Sequence, residues 1–130
     1  MENLFYVFMG GGLGAVCRYG IMCLVGMPWG MQFPLATALI NAISCFCMGL
    51  VMGLLLPLAH KLHMLPESLR LFTTVGFLGG FSTLASFSLE TLTLFRGGHQ
   101  LLAGLNILAT FAVSLVTVYL GWQLAACLQK

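Results

Sequence analysis

Charge is what this sequence has least of: eight of its 130 residues are charged, five Lys/Arg and three Asp/Glu, while 60% are apolar. A soluble domain covers its surface with charge at about a quarter of its residues, so that class is excluded. There is no CxxC and no histidine at metal-ligand spacing. The five cysteines, Cys17, Cys23, Cys45, Cys47 and Cys127, all fall within apolar runs, so neither a zinc site nor a disulfide framework is supported. No basic stretch precedes the first apolar run, only Glu2, and no small-x-small cleavage site stands out after it; the run is expected to be a retained helix rather than a signal peptide. Lys61, Arg70, Arg96 and Lys130 are scattered over loops and ends, which gives no nucleic-acid footprint. No nucleophile, base and orienting group converge, so an enzyme is not expected.

What is present is apolar length. A bilayer crossing takes about 20 apolar residues, and runs at 4–26, 35–58, 69–95 and 101–128 each reach that length. They predict an all-α membrane protein, a single domain over 1–130 with four transmembrane helices and no room among these residues for an extramembrane catalytic or nucleotide-binding domain. Pro28, Gly30 and Pro34 bracket the first connector, Pro57 and Pro66 the second, which is read as a loop from Ala59 to Ser68, and Gly97-Gly98 the third.

Four spans put both termini and the second connector on one side, with Lys61, Lys130 and Arg70, against Arg96 on the other. That nominally places the termini in the cytoplasm, but so small a bias is what a chain inserting in either orientation would carry. No internal repeat is visible, so a transport path built from two inverted halves would need a second copy. Gly10 and Gly14, Gly49 and Gly53, and Gly76 and Gly80 are i, i+4 pairs of the kind that let helix backbones approach closely.

The informative residues are polar ones at membrane depth. Arg18 lies about two-thirds along the first run, where a charge costs a few kcal/mol; it faces a wet cavity, an anion or a carboxylate, or else the span ends early and it snorkels. Thr37, Asn41 and Ser44 share one face of the second span, and Asn41 is either interhelical glue or a ligand group. Asn106, Thr110, Ser114 and Thr117 form a ladder on the fourth, whose spacing does not choose between bonds to neighbouring helices and a polar track. The third run has its midpoint at Ser82, within Gly76-Phe-Leu-Gly-Gly-Phe-Ser-Thr83. Adjacent glycines followed by hydroxyl residues predict a helix broken at mid-membrane, which is tolerated only inside protein or beside a cavity. Thr83, Ser86 and Glu90 continue one face beyond it, with Phe87 beside them.

The segments Gly10-Gly-Gly-Leu-Gly-Ala-Val-Cys-Arg18-Tyr19, the surroundings of Asn41, and Gly76 to Thr83 through Phe87-Ser88-Leu89-Glu90 resemble the CrcB/Fluc fluoride channels. The resemblance implies a dual-topology antiparallel homodimer in the bacterial inner membrane, with two narrow fluoride pores and a structural sodium ion at the dyad. It implies that Asn41 donates its amide to fluoride, that Phe87 takes the second of two pore phenylalanine positions, and that carbonyls of Gly79 and Ser82 from both chains hold the sodium. Arg18 corresponds to the family's first-helix arginine, Glu90 to its acidic residue after the phenylalanines, and Thr110 and Ser114 to the polar side of its fourth helix. Thr83 and Ser86 stand among the pore hydroxyls. Related sequences usually read Thr-Thr-Phe-Ser-Thr-Phe-Ser where this chain has Ser82-Thr83-Leu84-Ala85-Ser86-Phe87-Ser88, so the first pore phenylalanine is Leu84 and the serine after it Ala85. That departure implies an altered pore, slower permeation, or a subunit that pairs with a paralog as a heterodimer.

Fluoride is small and strongly hydrated, so a selective path must replace its water with amide, hydroxyl and ring-edge donors. Export down a gradient needs no nucleotide site. The alternatives are a proton-coupled exporter of the small multidrug type and a non-conducting membrane subunit. The former normally needs an acid in the first helix, where this chain has Arg18.

Overall fold

The computed structural model describes residues 1–26, 34–62 and 67–129, nearly all in helices, with short non-helical links between them; no β-strand occurs among them. The helices are α1 (Glu2–Gly26), α2 (Leu35–Leu62), α3 (Glu67–Arg70), a π-helical segment (Leu71–Leu78), α4 (Gly79–Phe81), α5 (Leu84–Arg96) and α6 (Gln100–Leu128). Four runs are long and apolar enough to cross a membrane: Glu2–Val25, Leu35–Pro57, Glu67–Arg96 and Gln100–Leu128. The third run comprises α3, the π-helical segment, α4 and α5. Pro28, Gly30, Pro66 and Lys130 lie outside the described residues.

The boundaries differ from the apolar runs because helix ends are polar. Glu2 sits in the first turn of α1 and Glu67 in that of α3, where a negative charge meets the positive end of the helix dipole; Arg96 closes α5. A larger correction concerns α2, which continues to Leu62, through Pro57 and into the segment read as a loop from Ala59. Proline has no N–H to give the carbonyl four residues back, which normally ends or bends a helix. Here Gln129, just past the end of α6, supplies the donor: its Nε2 lies 3.0 Å from the Gly53 carbonyl oxygen and 3.3 Å from that of Leu54.

Small residues set the packing. α1 lies against the π-helical segment and α4, and α2 against α6. A Cβ at Gly14 would run into the Phe77 carbonyl, one at Gly49 into that of Val118, and one at Gly121 into that of Phe46. Contacts this close gain dispersion that larger side chains would prevent, which is how helices associate where lipid removes the hydrophobic drive. The turn after α5 uses Gly98 at φ +82°, a conformation open to glycine without strain.

The partition of polarity is the reverse of a water-soluble protein. Leu4, Phe8, Val16, Leu101, Leu108 and Leu115 are among many exposed large apolar side chains, whereas Thr37, Ser44, Thr74, Thr83, Asn106 and Thr110 are buried. In hydrocarbon an unpaired polar group costs more than an exposed leucine, so the polar side chains turn inward to one another.

Candidate functional site

The third run leaves helical dihedrals at two residues. Ser82 has φ −71° and ψ 153°, and Thr83 has φ −147° and ψ 109°. Upstream the helix is already widened to π geometry, and the hydroxyls of Thr73 and Thr74 donate to the carbonyls of Leu69 and Arg70 at 2.8 and 2.7 Å. Downstream, Thr83 caps α5: its Oγ1 accepts from the Ser86 amide at 3.2 Å and donates to Ser86 Oγ at 3.1 Å.

The α2 face carrying Thr37, Asn41 and Ser44 is laid along the third run, and each residue bonds to it, Asn41 at the interruption itself. Ser44 Oγ donates to the Leu78 carbonyl at 3.5 Å, and Thr37 Oγ1 to Glu90 Oε1 at 2.7 Å. Asn41 bonds Thr83 at both backbone groups, its Oδ1 accepting from the amide at 3.0 Å and its Nδ2 donating to the carbonyl at 3.3 Å. Because the Thr83 amide can only donate, the orientation of the Asn41 amide follows from chemistry, and one Nδ2 hydrogen is left unused among the described residues.

That hydrogen is available to a cavity of about 200 Å³. Asn41 and Cys45 of α2, the extended Ser82 and Thr83, Leu84 and Phe87 of α5, and Thr110, Phe111 and Ser114 of α6 form its wall. The wall holds an amide, a thiol, hydroxyls and two aromatic rings, with no carboxylate. Phe87 and Phe111 meet edge to face, ring centroids 6.3 Å apart at 78°, the geometry in which a positive ring edge faces a negative ring face.

Of the residues singled out in the sequence, Asn41, Ser82, Thr83, Leu84, Phe87, Thr110 and Ser114 are brought together here. Ser86 does not line the cavity; it braces Thr83. Glu90 lies farther along α5, its Oε1 on Thr37 and its Oε2 buried without a partner among the described residues. Arg18, half-buried on α1, is not part of the wall, nor is Gly79, which is exposed. Phe111 and Cys45 were missed. Phe111 follows Thr110 directly and Cys45 lies one turn beyond Asn41, so the helical neighbours of the polar stripes were the signal. Among the described residues no cluster of three or more His, Cys, Asp or Glu could hold a metal, and the cysteines are free.

The profile of the family described as "CrcB-like protein, Camphor Resistance (CrcB)" matches residues 5–122. A Geobacter (strain M21) protein named "Fluoride-specific ion channel FluC" is 38% identical over 98% of this chain and its own full length. Proteins of the same name are 42% identical in Ruminiclostridium cellulolyticum, over 96% of this chain and 93% of theirs, and 40% identical in Shewanella (strain ANA-3), over 95% and 96%.

Proposed function

The chain belongs to the CrcB-like family, and from that premise we infer that it is a fluoride-selective channel exporting fluoride passively from the cytoplasm. The observation that carries this reading is the cavity at the interruption of the third run, whose largely apolar wall carries amide, hydroxyl and thiol donors and no carboxylate. An anion entering it gives up water and meets the spare Nδ2 hydrogen of Asn41, the hydroxyls of Ser114 and Ser82, the weak S–H donor of Cys45, and the edges of Phe87 and Phe111. Arg18, the cation at membrane depth, is read as drawing anions toward the path from outside the cavity. The driving force is the gradient itself: hydrogen fluoride crosses lipid as a neutral acid and dissociates in a more alkaline cytosol.

In this reading two copies insert in opposite orientations and pair antiparallel in the inner membrane, and a sodium ion sits where their interruptions meet. The residues present fit such an ion. In an unbroken helix the Gly79 carbonyl would take the Thr83 amide and the Ser82 carbonyl the Ser86 amide, but these amides go to Asn41 Oδ1 and Thr83 Oγ1. Two carbonyl oxygens per chain are thereby relieved of their helical donors, hard ligands suited to a hard cation. Bound sodium would hold the two interruptions together.

The test is efflux from liposomes carrying the purified protein, followed with a fluoride electrode and repeated for chloride. Rapid fluoride loss with little chloride supports the channel; equal rates, or no fluoride movement, refute it for the homodimer. Transport restored only with a paralog that has phenylalanine at the Leu84 position would assign the chain to a heterodimer. Labelling a cysteine in a C-terminal tag from each side of the membrane tests dual topology, and a one-sided result excludes it.

A further inference from the structure

We propose that Asn106 is a positioning residue that decides whether Thr110 offers the cavity a proton or a lone pair, an inference that rests on reading the cavity as a fluoride path. Four groups form a directed chain. A carbonyl oxygen can only accept, so Thr91 Oγ1, 2.7 Å from the Phe87 carbonyl, gives it its one proton. Thr91 can then only accept from Asn106 at 2.8 Å, so the atom facing it is Nδ2. With Nδ2 toward Thr91, the amide oxygen is left for Thr110, and Thr110 Oγ1 donates to Asn106 Oδ1 at 3.4 Å. Thr110 has no second proton. Toward the cavity it turns lone pairs, which repel an anion.

The backbone of Phe87 thus sets the polarity of a wall group on another helix. Asn106 is 1% exposed, so the amide at the centre of the relay is shielded from solvent, while Thr91 is half-buried. Its last link is also its longest, 3.4 Å against 2.7 and 2.8 Å for the others, beyond the usual range for O–H···O bonds. An anion arriving in the cavity can swing the Thr110 proton to itself by breaking that one weak bond, while the Asn106–Thr91–Phe87 part stays in place. If the amide were reversed, Nδ2 would donate to Thr110 and the Thr110 proton would be free for the cavity from the start.

Thr91→Val tests this, because valine keeps the shape but offers Nδ2 no acceptor and releases the amide to reverse. Fluoride flux is measured against fluoride concentration in liposomes, with Thr91→Ala as a second variant and thermal unfolding as the fold control. The half-saturating concentration should fall about threefold to tenfold, the equivalent of one ordinary hydrogen bond, with a smaller change in maximal rate. In a Thr110→Val background the same substitution should change nothing. A conducting wild type whose half-saturation is unmoved by Thr91→Val, or a shift that persists without the Thr110 hydroxyl, overturns the proposal. A second readout needs no transport: in protein labelled with 15N-asparagine only Asn3, Asn41 and Asn106 contribute side-chain amide signals. If the wild type moves no fluoride, the channel reading fails, and the amide still decides the positioning role. The Asn106 signal should shift in Thr91→Val, and an unmoved signal refutes the orientation.

Discussion

Asn41 and Thr83 are joined at two points, the side-chain amide of one matching the backbone N–H and C=O of the other at 3.0 and 3.3 Å. A side chain here does what a neighbouring strand does in a sheet, satisfying both polar groups of a residue that has left the helix. The same amide keeps one hydrogen for the cavity, so in the channel reading proposed above anchoring and anion contact fall on one residue.

Asn41→Asp keeps one of the two anchors and removes the donor that faces the cavity. A carboxylate still accepts the Thr83 amide but donates to neither the Thr83 carbonyl nor an anion. A hydrogen bond to a charged group is worth roughly 1.5–3 kcal/mol, so with charge repulsion added, fluoride flux should fall at least about a hundredfold while the assembly keeps its elution volume in detergent. Asn41→Ala, which loses both anchors, should also unfold at lower temperature. Wild-type flux in Asn41→Asp would remove Asn41 from the path.

The cavity holds two rings although Leu84 is aliphatic, because Phe111 of α6 contributes the second. Phe87→Leu should therefore lower fluoride flux, and Phe87→Leu with Phe111→Leu should nearly abolish it. Leu84→Phe should preserve or raise it. The electrode assay ranks all three, and a fully active double variant would show that ring edges do not carry the anion.

Gln129 and Pro57 form a testable pair. Gln129→Ala should cost about 1 kcal/mol of stability, an ordinary hydrogen bond. In a Pro57→Ala background the restored N–H reaches Gly53 and the same change should cost clearly less. Equal losses in both backgrounds, measured by thermal unfolding in one detergent, would disconnect the two residues.

The glycines divide by surroundings. Gly121→Ala pushes a Cβ into the Phe46 carbonyl, and overpacking of this kind costs about 1–3 kcal/mol. Gly104→Ala meets nothing within 4 Å and should be neutral or slightly stabilising through helix propensity. Thermal unfolding of the two variants side by side checks the contrast.

The four membrane-capable helices were legible because hydropathy over twenty residues is a local property. So was the inward face of α2: hydroxyl and amide groups at i, i+4 and i+7 in an apolar helix have to meet something polar, and Thr37, Asn41 and Ser44 each do. Pro57 misled because the group that replaces its missing N–H comes from Gln129, 72 positions later in the chain. Phe111 was hidden among the lipid-suited residues of α6, as apolar as Leu108 or Leu115. Thr91 carried no signal of its own in the sequence, because the group it bonds, Asn106, lies 15 positions away on another helix.

The exposed leucines and buried threonines have a calorimetric consequence. Unfolding a water-soluble domain uncovers apolar surface to water, and the large heat-capacity increment that follows bends its stability curve into a dome. Here much of the apolar surface already faces outward, and it stays in hydrocarbon when helices part within a bilayer. Separating α2 from the third run and from α6 would chiefly exchange hydrogen bonds and close backbone contacts. The stability of this subunit in lipid should therefore vary with temperature almost along a straight line, with no cold-denaturation limb.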